Sequence, residues 1–384
     1  MLIHSIETQV AAVPLIKPFK TALRTVTVAE TVIVKVTTED GAVGWGEAPP
    51  THVITGDSLA SIQFVINSVF TPQLVGEDLR HAERIFSKLH RSLVGNSSAK
   101  AAVDMALHDL LGQLANQPLV ELLGGYRSKI ETDFTVSVNR PEEMAEDAKR
   151  YIQNGFNVLK VKVGLNEIQK DIERIRAIRQ VVDPTVLIRL DANQGWSPRE
   201  AVRAIRTMED EGLNIELIEQ PVKAHDIDGL KYVTDHVDTP IMADESVFSP
   251  QDALRVLQLR AADLINIKLM KAGGIYQAKK INTLAESFGI QCMVGSMIET
   301  KLGITAAAHF AASQPNITRF DFDAPLMLSE DIVKGGIIYQ GRTIRFSDAP
   351  GLGVTDVRTN EERGNDNDNE LGMRGLRSNR VDVT

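Results

Sequence analysis

The chain has 384 residues, enough to bury a large core and to form two domains or one large domain with additions. Hydrophobic residues make up 43% of the chain and charged residues 24%, as in an ordinary soluble globular protein. The net charge of −9 and the lack of a run rich in Lys and Arg argue against binding to nucleic acid or to an anionic membrane.

The cysteine content and the N-terminus bear on the compartment. The chain has a single cysteine, Cys292, which excludes an internal disulfide and is typical of a reducing compartment. The first residues lack the charged-then-apolar pattern of a signal peptide, and no apolar run approaches the ~20 residues that span a bilayer. We therefore expect a cytoplasmic protein that binds neither membranes nor nucleic acid.

The first ~125 residues predict an α+β region. Two β-type runs, 32–36 and 42–46, are joined by the turn signal Glu39–Asp40–Gly41. Helical periodicity follows from Ser97 to Leu114, where Ala and Leu recur at spacings of three and four residues. We interpret residues 15–24 and 48–56 as loops.

The middle of the chain predicts an α/β barrel. Eight short apolar runs alternate with amphipathic helix patterns about every 25–30 residues, the size of one βα unit. The runs are 134–138, 158–163, 186–191, 215–219, 241–244, 264–268, 292–295 and 317–321. Ser197–Pro198–Arg199–Glu200 and Ser249–Pro250 are good helix starts between them. Eight such units favour a closed barrel of parallel strands over an open sheet, since no Gly-rich loop follows the first run.

After the barrel, residues 335–339 form another β-type stretch, which we expect to return to the first region. The last residues, 358–384, are polar and low in aromatics, and they predict a disordered tail.

Three consecutive predicted strands end in a carboxylate: Asp191, Glu219 and Asp244. The carboxyl ends of barrel strands form the rim where barrel enzymes carry their chemistry. Clustered carboxylates need a cation, and an all-oxygen set favours Mg²⁺ or Mn²⁺. The alternative is that each acid caps the following helix, although Glu219 is a poor cap and is followed by Pro221.

Three lysines accompany these acids. Lys160 and Lys162 lie two apart on the second strand, so both face the barrel interior, and Lys268 ends the sixth strand, diametrically opposite. A metal-bound carboxylate stabilises the enediolate formed when a neighbouring carbon loses its proton. Nearby positive charge then lowers the pKa of the lysine that removes the proton, and a lysine opposite can return one with inversion. The alternative is that the lysines snorkel from strand ends.

These residues resemble a known family. Lys160–Val161–Lys162, Asp191–Ala192–Asn193, Glu219–Gln220–Pro221, Asp244–Glu245–Ser246 and Lys268 occur in the order typical of the muconate-lactonising subgroup of the enolase superfamily. The resemblance extends to about residue 357. It implies a (β/α)7β TIM-like barrel over 126–329 and an α+β capping domain of enolase type over 1–125, completed by about 330–357.

The resemblance also implies roles for individual residues. It assigns Mg²⁺ to Asp191, Glu219 and Asp244, with Mn²⁺ as a possible substitute. It makes Lys162 and Lys268 the acid/base pair. Lys160 is expected to hold the substrate carboxylate, and support of the metal ligands is expected from Asn193 and Glu245.

The end of the eighth strand bears on the substrate. Asp321 and Asp323 lie two apart, so both can face the site and bind an α-ammonium group, and the pair is similar to that of dipeptide epimerases. Arg24 could bind a second carboxylate. The alternatives are solvated or turn-capping aspartates and a surface arginine. By resemblance, the pocket is also lined by Thr135, Ser296, Met297 and Ile298.

The leading hypothesis is an isomerase. It would use Mg²⁺ to epimerise the α carbon of the C-terminal residue of a dipeptide, L-Ala-D/L-Glu, by two-base 1,1-proton transfer through an enediolate, as in peptidoglycan turnover. The alternatives are an N-acylamino acid racemase, a cycloisomerase of the same subgroup, or a binding protein on an inactive barrel. The expected partner is a small-molecule dipeptide, and the resemblance implies a homo-oligomer.

Overall fold

The structure is a computed structural model that describes residues 1–165 and 167–360. The N-terminal part forms an antiparallel sheet in the order β1 (Ile3–Lys20), β2 (Thr25–Thr38) and β3 (Val43–Ala48). The predicted runs 32–36 and 42–46 lie in β2 and at β3, and Gly41 adopts a φ of +86° in the predicted turn. The loop predicted over 15–24 is wrong for residues 15–20. These extend β1 because Phe19 and Lys20 pair with β2 again after a register irregularity.

Five helices follow, which together with β1–β3 we call the cap. They are α1 (Leu59–Val65), α2 (Thr71–Leu74), α3 (Ala82–Arg91), α4 (Ser97–Ala115) and α5 (Leu119–Leu122). A π-helical turn, Ile66–Phe70, joins α1 to α2, and a 3-10 turn, Leu79–His81, precedes α3. The predicted helix 97–114 is confirmed by α4. It packs so closely on β3 that a side chain at Gly44 or Gly46 would run into its backbone.

The barrel strands coincide with the eight predicted runs to within a few residues. After the short strand β4 (Lys129–Glu131), they are β5 (Phe134–Val136), β6 (Val158–Lys162), β7 (Leu187–Asp191), β8 (Ile215–Glu219), β9 (Ile241–Ala243), β10 (Leu264–Lys268), β11 (Gln291–Gly295) and β12 (Ile317–Phe320).

The helices between them are α6 (Pro141–Gln153), α7 (Ile168–Val181), α8 (Pro198–Asp210), α9 (Ile227–Thr234), α10 (Pro250–Leu259), α11 (Leu269–Ala272), α12 (Ile275–Ser287) and α13 (Lys301–Ser313). Ser197 and Glu200 form the predicted capping box of α8, and Ser249 caps α10.

The eight strands form one parallel sheet in chain order from β5 to β12. The sheet curls until its ends meet, since the N–H of Asp133, just before β5, donates to the carbonyl oxygen of Phe320 on β12 (3.2 Å). Seven helical crossovers connect the strands, as the predicted (β/α)7β order requires. This order places the carboxyl ends of all eight strands at one rim.

Inside the barrel, a small apolar cluster is separate from the main core and consists of Leu217, Met242, Leu264 and Met293. Leu217 and Met242 lie two residues before Glu219 and Asp244, so all four face the same side of the sheet. The cluster therefore forms an apolar floor beneath the polar rim.

Four short strands follow the barrel: β13 (Val333–Gly335), β14 (Ile338–Gln340), β15 (Thr343–Arg345) and β16 (Val354–Val357). The predicted stretch 335–339 is divided between two sheets, because β13 pairs with β16 while β14 joins β15 and β4. Leu352 N–H reaches the cap at Asp109 Oδ1 (2.8 Å). The predicted domain bounds stay a prediction, and most of the predicted tail, 361–384, lies outside the described residues. No helix among those described is long and apolar enough to cross a membrane.

Candidate active site

The predicted metal ligands and acid/base lysines meet at the rim. Lys162 Nζ on β6 lies 2.5 Å from Asp191 Oδ2 on β7, and Lys268 Nζ on β10 lies 2.7 Å from Asp244 Oδ2 after β9. Lys162 is 6% exposed and Lys268 4%, and the three acids are at most 1% exposed. The two lysines thus approach the carboxylates from opposite sides, as their strand positions predict.

Lys160 lies at the centre of this cluster. Its Nζ is 2.7 Å from Asp321 Oδ2, 2.8 Å from Glu219 Oε2 and 3.4 Å from Asp191 Oδ2. Burial alone would lower the pKa of Lys160, but the surrounding carboxylates raise it well above its usual range. Lys160 is therefore a fixed positive charge and not a base.

Burial and neighbouring charges give the acids of this cluster different pKa values. Burial, together with Asp191, raises the pKa of Glu219 to about 8. Burial also opposes ionisation of Asp244, but Lys268 and Lys271 hold its pKa well below the usual range. Burial would lower the pKa of Lys268, yet Asp244 raises it above its ordinary value. The Lys268–Asp244 pair is therefore fully ionised.

The donor set fits a hard divalent cation. Glu219 Oε2 and Asp244 Oδ1 are buried and accept no hydrogen bond, although a lysine ammonium group lies near each. Three carboxylates on adjacent strands supply the anionic oxygens that Mg²⁺ and Mn²⁺ prefer. Within residues 1–165 and 167–360, no group of three His, Cys, Asp or Glu side chains is arranged so that it could hold a metal ion. Lys160 lies between two of the acids, so metal binding requires this ammonium group to shift.

Of the two residues predicted to support the ligands, Asn193 contacts one of them directly and Glu245 contacts Asn193. The N–H of Asn193 donates to Asp191 Oδ1 (2.9 Å), and its side-chain amide donates to Glu245 Oε1 (3.3 Å). Asn193 adopts a left-handed φ of +40°, which a non-glycine residue adopts only when its surroundings hold it there. Burial, followed by Asp244, raises the pKa of Glu245 to about 7.

The predicted substrate residues other than Lys160 line one cavity at this rim. It is bounded by Phe19, Thr21, Leu23, Arg24, Ile54, Thr135, Lys162, Asn193, Lys268, Ser296, Met297, Ile298, Asp321, Asp323, Ala324 and Met327. A larger cavity of about 800 Å³ adjoins it, but Lys162, Lys268, Asp321 and Asp323 line only the smaller one. The smaller cavity is therefore the candidate active site, since the ionisable groups converge there.

Asp321 and Asp323 occupy one end of the cavity. Asp323 Oδ2 accepts a hydrogen bond from the N–H of Thr135 (2.6 Å), and the hydroxyl of Ser296 donates to the Asp321 carbonyl (3.4 Å). Burial, with the charge of Asp321, raises the pKa of Asp323 to about 7. Burial also opposes ionisation of Asp321, but Lys160 holds its pKa below the ordinary value. An ammonium group placed here would therefore be bound by charge.

Arg24 lines the same cavity from the turn between β1 and β2. Its side chain is partly buried, and burial lowers its pKa. No carboxylate in the described part of the chain forms an ion pair with Arg24. This guanidinium group is thus available to an anionic group of a substrate.

Comparison with known proteins identifies the family. Residues 5–124 match the family described as "Mandelate racemase / muconate lactonizing enzyme, N-terminal domain", and residues 143–358 match the family "Enolase C-terminal domain-like". The chain belongs to the enolase superfamily. The predicted superfamily and fold are confirmed.

This enolase-superfamily member has curated and solved relatives over most of its length. It is 63% identical over 354 residues to the L-Ala-D/L-Glu epimerase of Bacillus subtilis (strain 168). That match covers 92% of this chain and 97% of that protein. The structure of a substrate-liganded complex of the L-Ala-D/L-Glu epimerase from Bacillus subtilis matches with a TM-score of 0.93 at 62% identity, covering 93% of this chain and 100% of that one. These relatives are isomerases, in agreement with the predicted reaction class.

A dipeptide epimerase from Enterococcus faecalis V583, solved with Mg and the dipeptide L-Leu-L-Tyr, matches with a TM-score of 0.90 at 44% identity. The match covers 92% of this chain and 100% of that one. The predicted cofactor and substrate class agree with that complex.

Sequence reasoning missed three elements of this superfamily member's site. The first is the side chain of Gln220, which joins the ends of β8 and β9. Its Oε1 accepts from the N–H groups of Asp244 (2.9 Å) and Ser246 (3.1 Å), and its Nε2 donates to Val222 O (3.0 Å) and Ser246 Oγ (2.8 Å). The second is Lys271, a lysine in the apolar start of α11. A lysine in an apolar run is unusual, because a buried lysine needs a partner, and this was the sequence signal that could have identified Lys271.

The third is a pair of buried acids between the cap and the barrel. Glu47 on β3 accepts from the N–H (2.8 Å) and the hydroxyl of Thr300, and Glu299 accepts from the N–H of Met297 (2.8 Å). Both carboxyl groups lie so close to Gly303 that a Cβ there would run into them. Burial raises the pKa of Glu47 to about 7 and that of Glu299 to about 8. The pair attaches the cavity-lining turn at 296–298 to the cap.

Proposed function

We propose that this enzyme is a magnesium-dependent dipeptide epimerase that inverts the α carbon of the C-terminal residue of L-Ala-D/L-Glu. The observation that carries the proposal is the position of Lys162 and Lys268, which approach one carboxylate cluster from opposite strands of the barrel. Two such groups can act on the two faces of a single carbon. The high identity to an L-Ala-D/L-Glu epimerase over 92% of the chain supports the substrate.

In this proposal, Asp191, Glu219 and Asp244 hold Mg²⁺, with Mn²⁺ as a possible substitute. Bound there, the metal neutralises the substrate carboxylate and stabilises the enediolate. Asn193 supports the arrangement through its hydrogen bonds to Asp191 and Glu245.

The two lysines transfer two different protons, one at each face of the α carbon. Lys162 removes it from one face of the α carbon, and Lys268 delivers another to the opposite face; the reverse reaction exchanges these roles. Asp244 holds the proton on Lys268 in the present arrangement. Asp244 bound to a cation would attract that proton less, and Lys268 would then act as the base for the reverse reaction. Phe19, whose ring centre lies 5.7 Å from Lys162 Nζ, helps to exclude water.

The remaining residues select the substrate. Asp321 and Asp323 bind the free α-ammonium group, and Arg24 binds the side-chain carboxylate of the terminal Glu. Lys160 adds positive charge where the reacting carboxylate is bound. Thr135 and the turn from Ser296 through Met297 to Ile298 line the space between these groups.

The test is exchange of the α proton with deuterium from solvent. With Mg²⁺, the wild type should label the Glu α carbon of both L-Ala-L-Glu and L-Ala-D-Glu. Lys162→Ala and Lys268→Ala should each lose labelling of one isomer, by roughly 100-fold or more. Lys231→Ala, at an exposed lysine on α9, is the matched control. A wild type that labels neither isomer at saturation contradicts the function, and equal residual labelling of both by each variant contradicts the two-base assignment.

An N-acylamino acid racemase or a cycloisomerase would share the proton-transfer residues, so Asp323→Asn separates these alternatives. Asp323→Asn removes a buried charge partner of the free amine, so turnover of such a dipeptide should fall by roughly 10- to 100-fold. An N-acylated substrate should be unaffected. Undiminished dipeptide turnover would favour the alternatives. A binding protein on an inactive barrel is disfavoured because the acids and lysines are all present.

The cellular setting is part of the proposal. We place the enzyme in the cytoplasm, acting on dipeptides from peptidoglycan turnover, because L-Ala-Glu is a peptidoglycan fragment and the sequence predicts a reducing compartment. We also propose a homo-oligomer, which light scattering of the purified protein would test.

A further inference from the structure

Lys271 is a buried cation with several partners beside the proposed metal site. It lies in α11, three residues after Lys268, and is 1% exposed. Its Nζ donates to the carbonyl oxygens of Asp244, Val247 (3.0 Å) and Asn266 (3.1 Å). The same Nζ lies 2.7 Å from Asp244 Oδ1. The proton-transfer scheme described above does not use this group.

These contacts constrain Asp244 in two ways. The three carbonyl groups come from the segment after β9 and from β10, so one ammonium group ties both strand ends together. The carboxylate is also divided: Oδ1 faces Lys271, while Oδ2 faces Lys268 at 2.7 Å. Lys271 is bonded to the carbonyl oxygen of Asp244 and attracts Oδ1 by charge, so the carboxylate cannot rotate freely and its other oxygen keeps a fixed direction.

We propose that Lys271 is a positioning residue, which fixes the orientation of Asp244 toward the metal and thereby the place of Lys268. This inference rests on the proposed function, since it takes Asp244 as a metal ligand. It differs from a second explanation in which Lys271 only supplies a counter-charge. The two make opposite predictions for metal affinity.

Removal of a counter-charge leaves the site more negative, so Mg²⁺ would bind more tightly. Removal of a positioning group lets the ligand rotate, and loss of such support typically weakens metal binding by roughly 10- to 100-fold. The sign of the change in affinity therefore separates the two explanations.

The experiment is titration calorimetry of Mg²⁺ into metal-free wild type, Lys271→Met, Lys271→Gln and the control Lys231→Met. Met keeps the length of the side chain without charge. Gln keeps a donor for the carbonyl groups and provides a folded variant if Met destabilises the protein. We expect Mg²⁺ binding weaker by roughly 10-fold or more in both Lys271 variants and unchanged in the control.

Exchange of the two dipeptide isomers with deuterium gives a second readout. At saturating Mg²⁺, the face served by Lys268 should lose more exchange than the face served by Lys162, because only Lys268 shares Asp244 with Lys271. Unchanged or tighter Mg²⁺ binding, or an equal loss on both faces, would overturn the inference. Wild type that binds no Mg²⁺ would instead contradict the proposed function.

Discussion

The acid pair between cap and barrel predicts an unusual dependence of stability on pH. Burial raises the pKa of Glu299 from its ordinary value of 4.5 to about 8. The folded protein therefore keeps a proton on Glu299 that the unfolded chain loses between pH 4.5 and 8. Because the unfolded state binds fewer protons in this window, the free energy of unfolding falls as pH rises. The contribution of Glu299 is full below pH 4.5 and is lost as pH passes about 8.

The size of the effect follows from the shift. Each pKa unit corresponds to about 1.4 kcal/mol, so the shift of Glu299 amounts to about 5 kcal/mol. The amide of Glu299→Gln resembles the protonated acid but does not titrate. Between pH 5 and 8.5, which covers about three of these units, the wild type should therefore lose about 4 kcal/mol more than the variant.

Urea unfolding at several pH values, followed by circular dichroism, measures this difference. Glu146→Gln, at an exposed acid on α6, is the control and should keep the wild-type slope. The comparison between variants cancels the titration of groups other than Glu299 and its neighbour Glu47. If Glu299→Gln keeps the wild-type slope as well, the carboxyl group is ionised in the fold and the reasoning is refuted.

Three further predictions concern packing, selectivity and the metal. Gly46→Ala should lower the free energy of unfolding in urea by more than about 2 kcal/mol, because its Cβ would meet the backbone of α4. Gly56→Ala has open space around it and should lower it by only about 1 kcal/mol, because of its left-handed φ. Equal losses would contradict the close packing. Arg24→Met should raise the KM for L-Ala-L-Glu by roughly 10-fold or more and leave that for L-Ala-L-Ala unchanged, and a parallel rise would exclude carboxylate recognition. Chelation of metal should abolish deuterium exchange until Mg²⁺ or Mn²⁺ is added, and exchange that persists in chelator would contradict the role of the metal.

The barrel could be predicted from the sequence because each strand is a short apolar run that ends at a recognisable rim residue. The carboxyl ends of β7 and β8 coincide with Asp191 and Glu219, and β9 stops one residue before Asp244. Strand order then placed the lysines opposite each other without any knowledge of distances. Periodicity and the geometry of a closed ring were sufficient for this part of the site.

Other features depend on contacts that no local pattern records. The hydrogen bond between Thr300 and Glu47 joins residues 253 apart in the chain. The extension of β1 past Pro14 was hidden by its prolines and by an irregular register. The role of Lys271 depends on its carbonyl partners on β10 and after β9, which no local pattern gives. In each case tertiary packing, and not local preference, determines the role.

The residues proposed for chemistry and those proposed for selectivity come from different parts of the chain, and this separation has a consequence for evolution. The groups that we propose for the chemistry come from one continuous stretch, Lys160 to Lys268, whereas selectivity is assigned to Arg24, the 296–298 turn and the residues after β12. Changes in the second set leave the ion pairs of Lys162 and Lys268 intact, and only a change at Asp321 removes a partner of Lys160. A new dipeptide preference can therefore arise through a few exchanged segments on an unchanged proton-transfer apparatus, and grafting those segments from a relative is a direct route to altered specificity.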